Sequence, residues 1–511
     1  MMRPLTRCRS LHRIKVTPLV LLVVIACFAR ESQSLSSSSS TLRQTNAPAS
    51  RNNNNYGDVP TAVTSTNEFF PSSFVKLMGV DHHIRDTGDP FPDAPVAILL
   101  HGLAGSTESW EDVAPLLYEQ GIRAVAIDRV GFGRTERPKQ VDALPSPLRP
   151  PDDKNPWVSL VKNPLADFIE SSSLMPPHPP NGLVPEPLRE ALGQVSDILP
   201  PPNKALATAI RRPSLLAPKL PWSASPQQEN PYSSEFAAQT LGALVRDRLG
   251  LPHQGNASRK LYLVGHSAGG PIALKAYLDA TDPKTPKNNY EVSGVALVAP
   301  AVLDPAEDPG IYDAETNDED NRSDASRDNN LRLRVFRSVL ALPDALVVPI
   351  VRRIYDGRNL TEAVLNQTSS AELSIQRVNY LAEKYKRPVE EFPDDWDVAL
   401  LNVYRADFRN ENDNHRLRGR KLIQQVVQTA EMLATKEPRN QPTFCVISGD
   451  DDPVVPARAS KRVVSLLNSD GKTSTALAPC KYVELPCTGH LPMDENPQEM
   501  ARVLLDFIQE K

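Results

Sequence analysis

The most informative pattern in the chain is Leu261-Tyr262-Leu263-Val264-Gly265-His266-Ser267-Ala268-Gly269. Its first four residues form a short apolar run that is typical of a buried parallel strand, and the apolar spacing of Ile272–Leu278 is helical. A strand that turns directly into a helix brings its backbone so close that a Cβ at Gly265 or Gly269 would clash. The sequence therefore predicts a tight strand-turn-helix unit with Ser267 at its apex.

This turn has the Gly-x-Ser-x-Gly pattern of a serine nucleophile. It would lift the Ser267 hydroxyl above the sheet and next to a helix N-terminus. We predict that Ser267 attacks a substrate, and that Gly265, His266 and Gly269 shape the turn around it. The competing interpretation is a glycine-rich connection whose serine has no chemical role.

Further apolar runs of the same kind recur along the chain, with helical patterns between them. The runs are 96–100, 123–127, 260–264, 294–298, 443–447 and 481–485, and the helical patterns include 235–249, 272–278, 457–467 and 497–509. Alternating strands and helices predict an α/β fold, in which helices flank a mostly parallel sheet.

The loop His101-Gly102-Leu103-Ala104-Gly105-Ser106 comes directly after the apolar run 96–100. An acyl-transfer enzyme needs backbone N–H groups aimed at the oxyanion that develops during the reaction. The loop can offer the N–H of Leu103, and the serine turn can offer that of Ala268. We predict that these two groups form an oxyanion hole, with His101 and Gly102 as the scaffold of the loop.

An acidic run, Gly449-Asp450-Asp451-Asp452-Pro453-Val454-Val455-Pro456, follows the strand pattern 443–447. A catalytic imidazole needs a buried carboxylate that orients it and stabilises its charged form. Three adjacent acids compete for this role. We favour Asp452, which lies directly before Pro-Val-Val-Pro, and we expect Asp450 and Asp451 to face water.

Thr488-Gly489-His490 follows the last strand pattern, 481–485. A histidine at the end of the last strand, in the chain order Ser, Asp, His, suits a general base. We predict that His490 takes the proton of Ser267 and later delivers it to the leaving group.

Two long segments interrupt the alternation of strands and helices. Between Pro138 and Pro231, inclusive, lie 21 of the 49 prolines, which break helices and central strands. The segment 304–440 opens with an acidic loop and continues with helical patterns. The predicted organisation is a signal peptide (1–29), a low-complexity leader (30–68), core parts at 69–137, 231–303 and 441–511, a proline-rich insertion (138–230) and a mostly helical subdomain (304–440).

The N-terminus resembles a targeting segment. Basic residues precede the apolar run 19–29, which is shorter than the ~20 residues that span a bilayer, and Ala29 suits a cleavage site. We therefore expect a secreted or endomembrane-lumenal protein, with no spanning helix after signal removal. An uncleaved signal anchor is one alternative. A signal-plus-transit leader into a plastid is another, because residues 31–57 are serine-rich and poor in acids.

Charge and cysteine content exclude several classes of partner. The 57 Lys and Arg against 62 Asp and Glu give a net charge of −5, whereas nucleic-acid-binding proteins usually carry a basic face. Outside the signal peptide, Cys445, Cys480 and Cys487 are too few for a disulfide scaffold, and their spacing fits no metal site. Cys445 and Cys480 could pair if their strands are adjacent. We expect no nucleic acid, no metal and no cofactor.

Together these motifs resemble the α/β-hydrolase fold superfamily, in its branch with a serine nucleophile. The resemblance covers about 69–137, 231–303 and 441–511. It includes Asp128-Arg129-Val130-Gly131-Phe132-Gly133-Arg134-Thr135-Glu136-Arg137-Pro138, which in this superfamily follows the fourth strand and shapes the pocket floor. It implies a triad of Ser267, Asp452 and His490, with an oxyanion hole at Leu103 and Ala268.

The chain is also similar to superfamily members that carry a helical cap between the sixth and seventh core strands. This resemblance implies that 304–440 covers the pocket and selects substrates, and it makes Asp304 an alternative position for the acid. In most relatives a short linker stands where this chain has the proline-rich insertion, beside the pocket entrance.

The residue at the serine turn narrows the expected chemistry. Epoxide hydrolases and haloalkane dehalogenases of this fold use an aspartate there, so the resemblance implies acyl transfer to water instead. We expect a serine hydrolase of the esterase or lipase type that acts on a mainly apolar small-molecule acyl substrate. The alternatives are a carbon–carbon bond hydrolase or thioesterase with the same residues, and a catalytically silent protein that binds a ligand or partner.

Overall fold

The structure is a computed structural model of the 511-residue chain. It describes residues 69–140, 207, 210–212, 215, 230–251, 259–282, 290–304, 307–308, 311, 339–340, 342, 344–354, 367–368, 373–408, 417–436, 441–468 and 478–509. The predicted signal peptide, the leader and most of the proline-rich insertion lie outside these residues. No helix in the described part of the chain is long and apolar enough to cross a bilayer.

Eight strands form one sheet in the order β1-β2-β4-β3-β5-β6-β7-β8. Strand β2 runs antiparallel to β1 and β4, and the other neighbouring pairs are parallel. The predicted fold class, a mostly parallel sheet flanked by helices, is therefore confirmed. The strands are β1 (Ser72–Leu77), β2 (Val80–Asp86), β3 (Val96–Leu100), β4 (Arg123–Ile127), β5 (Leu261–His266), β6 (Gly294–Val298), β7 (Thr443–Gly449) and β8 (Lys481–Leu485).

Each apolar run that was predicted to be a strand is a strand, with small shifts at the ends of β5 and β7. The sequence did not predict β1 and β2. Strand β1 lies at the sheet edge and exposes alternate residues, while β2 buries the polar side chains of His82, His83 and Arg85. Neither strand therefore carries the apolar run that marks a central parallel strand.

Helices cover both faces of the sheet and its carboxyl edge. A 3₁₀ turn spans Thr107–Trp110, and a π-helical turn, Leu244–Arg248, continues α2. The α-helices in the described residues are α1 (Ala114–Glu119), α2 (Ser234–Ala243), α3 (Gly269–Thr281), α4 (Asp344–Ile354), α5 (Ile375–Glu391), α6 (Trp396–Phe408), α7 (Gly419–Lys436), α8 (Ala457–Leu467), α9 (Pro492–Glu495) and α10 (Pro497–Gln509).

The five strands β3 to β7 bury side chains on both faces, which explains their continuous apolar sequences. In β3, Ile98 belongs to the apolar cluster that contains residues of α2, α3, α7 and α8, and Leu99 belongs to the cluster that contains residues of α1 and α10. Successive side chains of a strand point to opposite faces, so each face receives every second residue. Two apolar layers thus hold the sheet between helices.

A third apolar cluster joins α4 and α6 to the loop that follows β4. Its members include Val130 and Phe132 from that loop, Val348 from α4, and Leu401 and Val403 from α6. This cluster places helices of the segment 304–440 next to the end of a central strand.

Two described residues of the proline-rich insertion pack against the same helices. Leu215 belongs to the third cluster, and Arg212 donates hydrogen bonds to Asp397 at 2.6 Å and to Asp395 at 2.9 Å. The Asp397 side chain is fully buried and also pairs with Arg352. The two arginines therefore neutralise a carboxylate that burial alone would strongly destabilise.

Helix α7 lies within the segment predicted to be a cap, yet it packs on the sheet. Leu422, Ile423 and Val426 are completely buried in the same cluster as the strands, and α7 contacts α3 and α8. The part of 304–440 that stands apart from the sheet layers therefore ends before Gly419. The cap boundary at 440 stays a prediction.

Replacing Leu422 by Ala should lower the free energy of unfolding by about 2–5 kcal/mol, because it leaves a cavity between α7 and the sheet. Met432 lies on the same helix with 44% of its surface exposed, so Met432→Ala is the matched control and should change stability by less than about 0.5 kcal/mol. Urea denaturation followed by circular dichroism measures both. Equal, small effects would contradict the packing of α7 on the sheet.

Candidate active site

Strand β5 ends in a turn with Ser267 at its apex. The φ angle of Ser267 is +49°, in the left-handed region that residues with a Cβ rarely adopt. A Cβ on Gly265 would lie 2.5 Å from the carbonyl oxygen of Gly269, and one on Gly269 would lie 2.8 Å from that of His101. Close backbone contact thus excludes side chains at both glycines, in agreement with the argument from sequence.

The side chains of Ser267, His490 and Asp452 form one hydrogen-bonded chain. His490 Nε2 lies 3.1 Å from Ser267 Oγ, and His490 Nδ1 lies 2.9 Å from Asp452 Oδ2. A carboxylate only accepts hydrogen bonds, so Nδ1–H donates to Asp452 and Nε2 is left to accept from the serine hydroxyl. All three residues are buried.

Backbone contacts hold the acid and the histidine together. Asp452 Oδ1 accepts hydrogen bonds from the N–H groups of Val454 and Val455, each at 2.8 Å, which fix the orientation of the carboxylate. A Cβ on Gly449 would lie only 2.0 Å from the carbonyl oxygen of Thr488. The loop after β7 therefore touches the loop after β8, and Gly449 makes that contact possible.

The other acids that the sequence offered lie elsewhere. Asp450 and Asp451 are exposed, and Asp450 Oδ1 accepts a hydrogen bond from the N–H of Thr488 at 3.3 Å. Asp304 lies beside Gly419, at the start of α7. Of these four carboxylates, the one that contacts His490 is Asp452.

The His101–Ser106 loop lies against the serine turn. A Cβ on Gly102 would lie 3.0 Å from the Cβ of Ser267. Within the described residues, neither the N–H of Leu103 nor that of Ala268 donates a hydrogen bond. These two backbone donors are therefore unpaired within the part of the chain that the structure describes, and an oxyanion hole requires donors that are not already engaged.

His101 braces this loop from within the protein. Its Nδ1–H donates to the carbonyl oxygen of Gly102 at 2.7 Å, and its Nε2 accepts from the N–H of Arg129 at 3.1 Å. These partners require the neutral imidazole, and burial lowers the pKa of His101. The scaffolding role that the sequence indicated is consistent with these bonds.

His266 supports the histidine of the site from the sheet side. Its Nε2–H donates to the backbone carbonyl of His490 at 2.8 Å, and the two rings lie 5.0 Å apart. Burial, helped by repulsion from His490, lowers the pKa of His266 well below its usual value. His266 is therefore neutral at physiological pH.

No sequence motif indicated the role of Glu495. Its carboxylate accepts hydrogen bonds from the N–H groups of Gly489 at 2.9 Å and Leu491 at 3.0 Å, on either side of His490. An acid in a short helix usually faces solvent. Nothing in the local pattern distinguishes Glu495 from such a residue.

Asp128 organises the loops on the other side of the site. The N–H groups of Thr107 and Arg134 and the Nδ1 of His83 surround its fully buried carboxylate. Although burial opposes ionisation, these partners hold the pKa of Asp128 below its usual value. The sequence signal that could have indicated this role is the position of Asp128 directly after a buried strand.

A cleft opens beside the His101–Ser106 loop, between the loop after β4 and helices α5 and α6. Most of the side chains that line it are apolar: Phe132, Tyr385, Pro388, Val389, Trp396 and Leu400. Arg137 and Lys386 also line it. A mostly apolar cleft with a few polar groups suits a small-molecule ligand.

Neither a metal site nor a disulfide is found in the part of the chain that the structure describes. No group of three or more His, Cys, Asp or Glu side chains there is arranged to hold a metal ion. Strands β7 and β8 are neighbours, yet neither the buried Cys445 and Cys480 nor the exposed Cys487 takes part in a disulfide among the described residues. The pairing that the sequence left open is not formed.

A sequence model of the family described as alpha/beta hydrolase fold matches residues 95–497 of this chain. The match includes the serine turn, the acidic run and His490. It also spans the proline-rich insertion and the helical segment, so it covers most of the chain.

One curated relative is epoxide hydrolase A of Mycobacterium tuberculosis. It is 35% identical over 69 residues, which are 14% of this chain and 21% of the relative. The matched stretch thus spans about a fifth of the relative's length.

Solved structures with a similar fold differ widely in their activities. One is a membrane phospholipase A (TM-score 0.43, 14% identity, covering 96% of this chain and 93% of the other). Another is a haloalkane dehalogenase loop variant from Bradyrhizobium elkanii (TM-score 0.45, 16% identity, 86% and 97%). A bromoperoxidase from Bacillus anthracis has a TM-score of 0.43 at 14% identity (86% and 99%). Fold similarity of this kind does not identify a reaction.

Stability should fall as the pH drops from about 6.5 to about 5, because the unfolded chain then protonates histidines that the folded protein keeps neutral. The pKa of such a histidine is lower in the folded protein than in the unfolded chain. Its contribution to stability is therefore present above the unfolded pKa and is lost as the pH falls below it. His266 should contribute up to about 1.4 kcal/mol per pH unit. Urea denaturation across this range should give a shallower slope for His266→Gln, and an unchanged slope would contradict the neutral state.

Proposed function

Because this chain belongs to the α/β-hydrolase fold family and is a hydrolase, we propose that it cleaves carboxylic esters or related acyl bonds with Ser267 as the nucleophile. The observation that carries the proposal is the buried hydrogen-bonded chain from Ser267 through His490 to Asp452. A serine hydroxyl is a weak nucleophile, and an adjacent imidazole is the usual means of activating it.

In the proposed mechanism, Ser267 Oγ attacks the substrate carbonyl carbon as its proton passes to His490 Nε2. Asp452 accepts the Nδ1–H bond and stabilises the imidazolium that forms. His490 then protonates the leaving group, and an acyl-serine remains. Water attacks this ester by the same route in reverse, with His490 again acting as the base.

The negative charge that develops on the carbonyl oxygen needs donors that are already in place. The N–H groups of Leu103 and Ala268 are proposed for this role. Ala268 belongs to the serine turn, Leu103 follows Gly102, which lies against that turn, and neither N–H has an acceptor among the described residues. Fixed donors need little reorganisation during the reaction, and each one typically contributes about 10²–10³-fold to kcat.

A serine at this position disfavours epoxide or haloalkane substrates, although one curated relative is called an epoxide hydrolase. Attack of a carboxylate on an alkyl carbon gives an ester, which water can cleave at its carbonyl group. Attack by Ser267 would give an ether, which has no carbonyl group for water to attack. Acyl substrates avoid this dead end, because the acyl-serine is itself an ester.

The lining of the cleft favours a substrate with an apolar acyl group. Phe132, Trp396 and Leu400 line it, and it begins beside the loop whose Gly102 touches Ser267. Burying each methylene of an acyl chain there would contribute about 0.8 kcal/mol to binding. We therefore propose aliphatic esters as the class to test first.

A fluorophosphonate probe should label the wild-type protein but not Ser267→Ala, because the probe reacts with an activated serine. Turnover of p-nitrophenyl butyrate should fall by at least about 10³-fold in Ser267→Ala and in Asp452→Asn. Asp451→Asn is the matched control, since Asp451 is exposed, and should keep wild-type turnover. A folded wild type that neither reacts with the probe nor cleaves the ester would instead support a binding protein.

Placing a charge in the cleft should selectively impair long acyl chains. In Val389→Asp, kcat/KM for p-nitrophenyl octanoate should fall by about 10-fold or more, because the chain would have to desolvate the new carboxylate. The acetate ester has a much shorter acyl chain, so Val389→Asp should cleave it at the wild-type rate. Equal losses for both esters would argue against this cleft as the acyl site.

A further inference from the structure

Helix α5 lies across a set of carboxylates on the sheet-bearing part of the protein. We call Glu108, Glu111, Asp112 and Asp494 the acidic cluster. Basic side chains of α5 meet it along the helix: Arg377 pairs with Asp112 at 2.8 Å, and Arg387 pairs with Glu108 at 3.2 Å. Between them lies Lys384.

Lys384 is completely buried, which is rare for a lysine. Its Nζ lies 2.7 Å from Asp494 Oδ1 and 3.4 Å from Asp112 Oδ2, with Glu111 slightly further away. Burial alone would favour the neutral amine, but the surrounding carboxylates raise the pKa of Lys384. Lys384 is therefore a buried cation whose closest partner is Asp494.

Asp494 is held by α5 at three separate atoms. Besides the Lys384 bond to Oδ1, the Tyr385 hydroxyl donates to Oδ2 at 2.6 Å, and Arg377 donates to the backbone carbonyl at 2.9 Å. The Asp494 carboxylate is itself fully buried. One residue thus ties the short helix α9 to the middle of α5.

Helix α9 in turn holds the turn that carries His490. The N–H of Asp494 donates to the carbonyl of Leu491 at 2.9 Å, and Glu495 binds the backbone on both sides of His490. The N–H of His490 also donates to the carbonyl of Gln367, another residue of the helical segment, at 2.7 Å. The histidine turn is therefore fixed from the side of the helical segment as well as from the sheet.

Stability is a weak explanation for the Lys384–Asp494 pair. Removing two charges from water costs more than most buried pairs recover, and apolar replacements of such pairs are often neutral or stabilising. A buried pair does impose a defined geometry, because its members must keep their contacts or leave unpaired charges. Because the pair joins α5 to α9, which holds the histidine turn, a small displacement of the pair would move the His490 imidazole.

We propose that Lys384 and Asp494 are positioning residues for His490, an inference that rests on the proposed serine-hydrolase function. Helix α5 fixes α9 through this ion pair, and α9 fixes the reach of His490 towards Ser267. The helical segment then completes the catalytic base in addition to lining the cleft.

The test is the double variant Lys384→Met with Asp494→Asn, which removes the ion pair without leaving either partner charged. The fluorophosphonate labelling rate and kcat for p-nitrophenyl butyrate should each fall by about 10²-fold, the size of effect that a shift of about 1 Å can produce. KM should change little, and the apparent pKa in the pH profile of labelling should shift. Circular dichroism and thermal unfolding establish that the variant is folded.

Arg387→Met is the matched control, because Arg387 lies on the same helix and contacts Glu108 and Glu111 but not Asp494. It should label at the wild-type rate. A folded double variant with wild-type rate and pH profile would overturn the proposal. An equal loss in Arg387→Met would overturn it too, because general docking of α5 would then be the cause.

A proton NMR readout separates this proposal from the proposed function. The His490 Nδ1–H bond to Asp452 should give a strongly downfield resonance in the wild type that is lost or shifted in the double variant. If the wild type cleaves no ester, this resonance still reports the position of His490. Should the double variant fail to fold, Asp494→Asn alone breaks the ion pair, while Asp112 and Glu111 still neutralise Lys384. An unchanged resonance in that variant would overturn the proposal.

Discussion

The rest of the site depends on one close contact, the approach of the β5–α3 turn to its own backbone. The carbonyl oxygen of Gly269 lies only 2.5 Å from the position that a Cβ of Gly265 would take, and Gly269 in turn packs against the end of β3. This contact sets the left-handed φ of Ser267 and aims its side chain out of the sheet. It also brings the His101–Ser106 loop to the serine, so the same contact places the nucleophile and the two backbone N–H groups that have no acceptor among the described residues.

Parallel strands explain how residues from three distant parts of the chain meet. Strands β3, β5, β6, β7 and β8 are consecutive in the sheet and end at the same edge, where their loops converge. The loops after β7 and β8 can touch because the residue at their contact is small: Gly449 lies against the Thr488 carbonyl. Charged groups then fix the outer side of the site, where Glu495 and Asp494 hold the turn around His490.

The sequence predicted those parts of the fold and site whose signal is local. Ser267, Asp452 and His490 each follow a predicted strand within a short motif, so strand pattern and motif could be combined. Strand β2 escaped prediction because its buried histidines and arginine obtain their partners from distant loops. Lys384 escaped for the same reason: a lysine in a helix normally faces water, and its partner lies 110 residues further along the chain.

The docking of Arg212 on Asp395 and Asp397 bears on attempts to shorten this protein. A designer comparing it with hydrolases that have a short linker would be tempted to delete the proline-rich insertion as a dispensable loop. Deletion would remove Leu215 from the third cluster and one of two cations from a fully buried carboxylate. Those losses fall at the start of α6, where Trp396 lines the cleft. A truncation that respects this anchor has to retain the segment around residues 207–215.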